Sequence, residues 1–230
     1  MLFRSWIIVC VLAAVFLVGA NSFAPQLAEV GLSQALSTKF NLQNDDVRVQ
    51  ASPGAKIFLG DIDAVTVHAT NFMAGDLKFA NFDSNLYGVH FQPLQALVYQ
   101  ELRVTRVDSG DMTASIRRED LEAYLVKKID GLSDPSVTFE GDSVRVQGKV
   151  KLGGLVSARA DVRGHFGMKG TKLMFIPEAV TVEGLGMQVS STKLASAEIY
   201  DFTDFPLGIQ PDRVVLHDGL LTIHGQVSNS

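Results

Sequence analysis

Residues 143–176 read SVRVQGKVKLGGLVSARADVRGHFGMKGTKLMFI. Apolar and polar residues alternate along three segments, separated by Gly153-Gly154 and Lys169-Gly170, which is the pattern of strands that bury one face and solvate the other. Register decides which side chains share a face, because a slip of one residue moves every side chain to the opposite side. A turn on Gly153-Gly154 alone would set Val146 against Asp161 and Val144 against Arg163, placing charge among the apolar residues. A three-residue loop, Gly153 to Leu155, instead pairs Leu152 with Val156, Val150 with Ala158 and Val146 with Val162, and a glycine supplies the left-handed residue such loops need. A further turn at Lys169-Gly170 then sets Phe166 opposite Leu173. The result is a meander with one apolar face, and with Arg145, Lys149, Lys151, Arg159, Asp161 and Arg163 on the other. Its apolar face must be covered by helices, a second sheet or a ligand.

Much of the remaining chain alternates in the same way: DVRVQ (46–50), DAVTVHA (63–69), DLKFANF (76–82), ELRVTRV (101–107), DMTASIR (111–117) and SVTFE (136–140). Two segments have helical spacing instead. From Pro25, suited to a first helical turn, to Phe40, the residues Ala28, Leu32, Ala35, Leu36 and Phe40 fall on one stripe. In REDLEAYLVKKIDG (118–131), Glu119, Asp120 and Glu122 open the segment and Lys127 and Lys128 close it, complementing a helix dipole. Leu121, Tyr124, Leu125 and Ile129 form its apolar stripe, and Gly131 stops it. No linker rich in Pro, Ser or Gly separates these elements, so residues 21–230 are expected to form a single α+β domain.

The N-terminus, MLFRSWIIVCVLAAVFLVGANSFAP, has one basic residue, Arg4, and an apolar run from Trp6 to Val18. That run is shorter than the about 20 residues a bilayer span needs, and Val18-Gly19-Ala20 offers the small residues of a signal-peptidase site. Residues 1–20 are therefore expected to be a signal peptide, cut before Asn21, with an uncleaved anchor as the alternative; in either case the remainder is expected to be exported across the cytoplasmic membrane. Cys10, the only cysteine, lies inside this run, preceded by Val9, which does not fit a lipoprotein site. The exported part thus has no disulfide and no paired-cysteine chemistry. A net charge of −5 with no long basic run argues against a nucleic-acid partner.

The search for catalytic or metal chemistry finds little. In PLGIQPDRVVLHDGLLTIHG (206–225) two histidines flank a turn, but Asp218-Gly219 is a strong hairpin signal that pairs Val214 with Ile223 and Leu216 with Leu221. His217 and His224 then share the outer face with Arg213, four residues apart along the strands, roughly 13 Å, too far for one metal ion. His68, His90 and His165 have no base or ligand at motif spacing. GxSxG and HExxH are absent, and Lys169-Gly170-Thr171 inverts the order a phosphate loop requires. Asp45, Asp46, Asp61 and Asp63 do not continue into a calcium loop. No metal or cofactor is expected, and the protein is read as not an enzyme.

Apolar residues remain in excess. KIFLGDI (56–62) and NLYGVHFQPLQALVY (85–99) hold Ile57, Phe58, Leu59, Leu86, Tyr87, Val89, Phe91, Leu94, Leu97, Val98 and Tyr99, many of them adjacent rather than alternating. A strand buried on both faces, or a short helix from Pro93 to Tyr99, accounts for them structurally. An apolar groove for an acyl chain accounts for them functionally.

The order of elements resembles the LmeA-like family of bacterial phospholipid-binding envelope proteins. The resemblance is carried by PQLAEVGLSQALSTKF (25–40), GDIDAVTVHATNF (60–72), DLKFANFDSNLYGVHFQPLQAL (76–97), ELRVTRVDSGDMTASIRREDLEAYL (101–125), VRVQGKV (144–150) and FPLGIQPDRVVLHDGLLTIHG (205–225). It spans nearly all of residues 25–225, through glycines and alternating apolar residues rather than a catalytic set. It implies a curved antiparallel sheet wrapping two or three helices, similar to tubular lipid-binding folds, with a phospholipid or other acyl lipid along an apolar interior and a membrane surface within reach. On that basis Phe58, Leu59, Leu86, Tyr87, Val89, Phe91, Leu94, Leu97 and Val98 are the expected lipid-binding residues, with the first helix as a lid. The competing expectation is a structural module that presents sheet edges to an envelope protein partner.

Overall fold

The computed structural model describes residues 23–33, 46–95, 104–129, 132–152, 156–183, 187–190, 195–203 and 210–227. Twelve strands are described: β1 (Val47–Gln50), β2 (Asp61–Ala74), β3 (Leu77–Phe91), β4 (Val104–Arg117), β5 (Leu132–Glu140), β6 (Ser143–Leu152), β7 (Val156–Lys169), β8 (Lys172–Glu183), β9 (Met187–Ser190), β10 (Ala197–Asp201), β11 (Gln210–His217) and β12 (Leu220–Gln226). Helix α1 covers 23–33 and α2 covers Arg118–Lys128, with a 3-10 turn over Gly54–Leu59. One sheet has the order β1-β2-β3-β4-β12-β11, the other β10-β8-β7-β6-β5 with β9 on β8. The fold is α+β with a curled antiparallel sheet. By residue contacts the chain sorts into two compact units, one of Met1–Ala69, Asp83–Asp111 and Val227–Ser230, the other of Thr70–Phe82 and Met112–Gln226.

The meander forms in the expected register. Leu152 pairs with Val156, Val150 with Ala158 and Val146 with Val162. The next strand departs from expectation: Phe166 lies opposite Phe175, and Leu173 opposite Met168. The cause is the turn, which is centred one residue later, on Gly170 and Thr171. A two-residue hairpin of this kind puts its left-handed glycine at the first central position, and Gly170 has φ 60°. The displacement is two residues along β8, so the faces are preserved and the Phe166 and Phe175 rings meet at 5.5 Å between centroids. At the C-terminus Val214 pairs with Ile223 and Leu216 with Leu221, as the Asp218-Gly219 turn predicts. Leu221 and Ile223 are fully buried, a change each worth about 1.5–3 kcal/mol relative to exposure.

Within the first unit, β1 lies on β2 with Val47 against Val67 and Val49 against Val65, all four buried. Glu29 of α1 accepts the outward N–H of Val49 at 2.9 Å, so the exposed edge of β1 is capped by a carboxylate. Ala24, Leu32 and Ser33 of α1 are buried, Ala28 is half-buried, and Phe23, Leu27 and Val30 are exposed. Ala35, Leu36 and Phe40 lie outside the described residues.

In the second unit, Phe72, Phe79, Phe82, Tyr200 and Phe202 form a continuous aromatic cluster, with the Phe72 and Phe79 rings stacked at 5.2 Å and Tyr200 edge-on to Phe202 at 4.8 Å. Helix α2 buries Leu121, Tyr124 and Leu125 as its spacing predicts. Ile129 does not join that stripe: it is the extended residue that ends the helix and is exposed. The Tyr124 hydroxyl donates to the carbonyl of Ile199, and Glu122 accepts the N–H of Val137 at 2.7 Å, tying α2 to β10 and β5.

Candidate functional site

The expected lipid-contacting residues occupy different environments. Leu86 and Val89 sit in the core of the first unit, with relative exposures of 0% and 2%. Phe58, Leu59, Tyr87 and Leu94 are exposed, and Phe91 is half-buried. Leu97 and Val98 lie outside the described residues, and of the short helix expected at Pro93 to Tyr99 only 93–95 are described, as helical. The run Ile57-Phe58-Leu59 is not a two-sided strand but part of the 3-10 turn, where three residues complete a turn and point in three directions. Ile57 alone therefore faces inward.

A larger apolar surface belongs to the second unit. The registers of β5 to β9 put Val137, Val144, Val146, Gly148, Val150, Ala158, Ala160, Val162, Phe166, Phe175, Val180 and Val182 on one face. Where α2 is tied to β5 the cover is complete, and Val137 and Val144 are 1% and 0% exposed. Farther along, Val146, Val150, Ala160, Val162, Phe166, Phe175, Val180 and Val182 all remain only half-buried. Gly148 and Ala158 are buried, the space beside Gly148 being filled by Leu132, and the Phe166 and Phe175 rings meet farther along the face. The sequence predicts that this face is apolar and in need of cover. Its incomplete cover depends on long-range packing.

The opposite face of the same strands is polar and internally paired. Arg145 grips Asp161 through two guanidinium nitrogens and Gln147 adds a bond at 3.0 Å. Those bonds, the Arg145 guanidinium first, hold the Asp161 carboxyl below the usual carboxylate range, and the same pairing raises Arg145. Lys149 pairs with Asp134 at 2.9 Å and His165 with Glu178 at 2.9 Å. At the β7–β8 turn, Asp201 accepts from the hydroxyl and N–H of Thr203 and from the Thr171 hydroxyl, and its pKa is lowered to about 2. Asp63, on β2 in the first unit, is likewise held below the usual carboxylate range, first by the bond from Lys56 and then by the N–H of Ser52.

The other four histidines also have polar partners. His90 Nδ1 meets Asp61 at 2.7 Å, and His68 meets Asp83. His217 is exposed beside Asp218, while His224, opposite Arg213, approaches the Thr113 hydroxyl at 3.4 Å. Among the described residues no group of three or more His, Cys, Asp or Glu is arranged to hold a metal ion, and no helix is long and apolar enough to cross a membrane.

A sheet with one ion-paired face and one incompletely covered apolar face has room for an apolar ligand on the latter. Residues 19–226 match the LmeA-like phospholipid-binding family, nearly the whole chain, and the protein belongs to that family. No curated protein and no solved structure matches the chain.

Proposed function

We propose that this protein is a non-catalytic phospholipid carrier of the bacterial cell envelope, exported by its N-terminal segment, and that acyl chains lie along the half-open face of β6, β7 and β8. The observation that carries this reading is that face itself: eight bulky or small apolar residues left partly exposed, in a member of a phospholipid-binding family. Ligand sites are lined mostly by apolar side chains with few polar groups, as this face is. The non-catalytic part of the reading is supported by the perturbed groups on these strands: Arg145 and Asp161 lie on the opposite, polar face, and Lys172 and Asp201 pair at the β7–β8 turn. Export is supported by the apolar run from Trp6 to Val18 followed by Gly19 and Ala20.

Native mass spectrometry with lipid extraction, on protein purified from bacterial membranes without strong detergent, tests the reading. A stoichiometric co-purified phospholipid is the expected result. A ligand-free mass that stays ligand-free when liposomes are offered would overturn it.

A further inference from the structure

Two apolar tips are fixed side by side in the first unit, outside its core. The 3-10 turn buries Ile57 and leaves Phe58 and Leu59 50% and 78% exposed; Leu94, three residues beyond β3, is 75% exposed. Backbone contacts join the two segments. The N–H of Phe91 donates to the carbonyl of Gly60 at 2.9 Å. Gly60 has φ 92°, and a Cβ there would sit 2.3 Å from the Phe91 carbonyl oxygen and 3.0 Å from Pro93 Cδ. Only glycine lets the strands approach so closely, and the side chains just beyond this junction are presented outward from a pinned backbone.

The charge around the tip is also distinctive. Of the 25 acidic residues in the chain, none falls in 47–60 or 84–100, which hold Arg48, Lys56 and His90. The acids that follow the turn are engaged: Asp61 with His90, and Asp63 with Lys56 and the N–H of Ser52. A surface that enters the headgroup layer offers bulky apolar side chains to the acyl boundary, and here the two carboxylates that flank the tip already have partners in His90 and Lys56. The three exposed side chains present roughly 300–400 Å², under half of the about 800 Å² that each partner gives to a stable protein interface.

We infer that Phe58, Leu59 and Leu94 form a membrane-docking tip that enters the outer layer of a phospholipid bilayer, seating the protein where lipid is taken up or released. This rests on the lipid-carrier reading for its purpose, and its geometry is independent of where the acyl chains are held.

Depth measurement tests it. In a Cys10→Ser background of the full chain, nitroxide labels are placed at Leu59→Cys, at Leu94→Cys and, as a control at the β7–β8 turn, at Thr171→Cys. The protein is then mixed with vesicles of phosphatidylcholine and phosphatidylglycerol. On vesicles the labels at 59 and 94 are expected to gain access to oxygen and lose access to a water-soluble nickel chelate, while the label at 171 stays accessible to nickel. Labels at 59 and 94 that remain as accessible to nickel as the control would overturn the docking proposal. So would shielding that appears without vesicles and grows with protein concentration, which would make the occupant a second copy of the chain.

The double variant Leu59→Asp, Leu94→Asp supplies a functional readout. Transfer of phospholipid between vesicles is expected to fall by about tenfold or more, as loss of two apolar contacts implies. Binding of a short-chain phospholipid in solution and the melting temperature are expected to hold. A parallel loss of short-chain binding would place the tip in the lipid site and overturn the docking assignment. Failure of the unaltered protein to bind short-chain lipid would instead sink the carrier reading, while the label depths still decide the docking.

Discussion

Replacing Phe166 with alanine removes one of the two rings that meet on the half-open apolar face of the second unit. A phenyl side chain buries about 150–250 Å² when wholly enclosed, so an acyl chain covering about a quarter of it removes roughly 50 Å² from water. At about 25 cal/mol per Å² this is ~1.2 kcal/mol, or about an eightfold weaker Kd. The ring also packs on Phe175 with centroids 5.5 Å apart, so the variant is expected to lose about 1–2 kcal/mol of stability as well, within the usual range for a partly buried side chain. Titration of a short-chain phospholipid, followed by calorimetry, reads the affinity; urea unfolding reads the stability. Arg159→Ala, on the polar face of the same strand and exposed, is the matched control and should leave affinity unchanged. Equal affinity for Phe166→Ala and the unaltered protein, or an equal loss for Arg159→Ala, would refute the assignment of acyl chains to this face.

Three further outcomes are expected. Asp201, its pKa lowered to about 2 by Thr203, Thr171 and Lys172, contributes stability that is present above the unfolded carboxyl value near 4 and lost as pH falls towards 2; Asp201→Asn should melt lower at neutral pH and decline less across that window in thermal scans. Gly60→Ala forces a side chain into a left-handed conformation and against the Phe91 carbonyl, and urea unfolding should show a loss of about 1–3 kcal/mol, with an unchanged midpoint counting against the close approach. His217→Ala, at an exposed hairpin end, should change stability by no more than about 0.5 kcal/mol; a larger loss would mean the histidine has a buried partner.

Register was legible where alternation and turn chemistry point the same way. In the β6–β7 pair a wrong register would have put Asp161 and Arg163 among valines, and at Asp218-Gly219 both turn residues tolerate positive φ, here 49° and 76°. The Phe166 partner is not legible in the same way, because Lys169-Gly170 and Gly170-Thr171 both fit a turn centre in sequence and only the position of the left-handed residue separates them. Ile129 has helical spacing, but spacing alone does not show that the backbone becomes extended there. The division of the expected lipid-binding residues into core and exposed surface was less accessible still. It depends on a 3-10 turn and on the approach of Gly60 to Phe91, residues 31 positions apart, which no local pattern encodes.

The first sheet joins β4 to β12, and the side chains that meet there are far apart in the chain: Ser115 and Thr222 by 107 positions, Thr113 and His224 by 111. If the chain crosses a membrane N-terminus first, β4 emerges with an unpaired hydrogen-bonding edge and must wait for the last hairpin to arrive. Contacts of such high sequence separation are slow to form, and a waiting edge is open to pairing with another chain. The hairpin itself closes locally in about 1–10 μs, so the delay lies in its delivery rather than in its formation. Pairing of the free edge of β4 is thus coupled to delivery of the β11–β12 hairpin, and loss of that hairpin would leave a sticky intermediate in place of a slightly weakened fold.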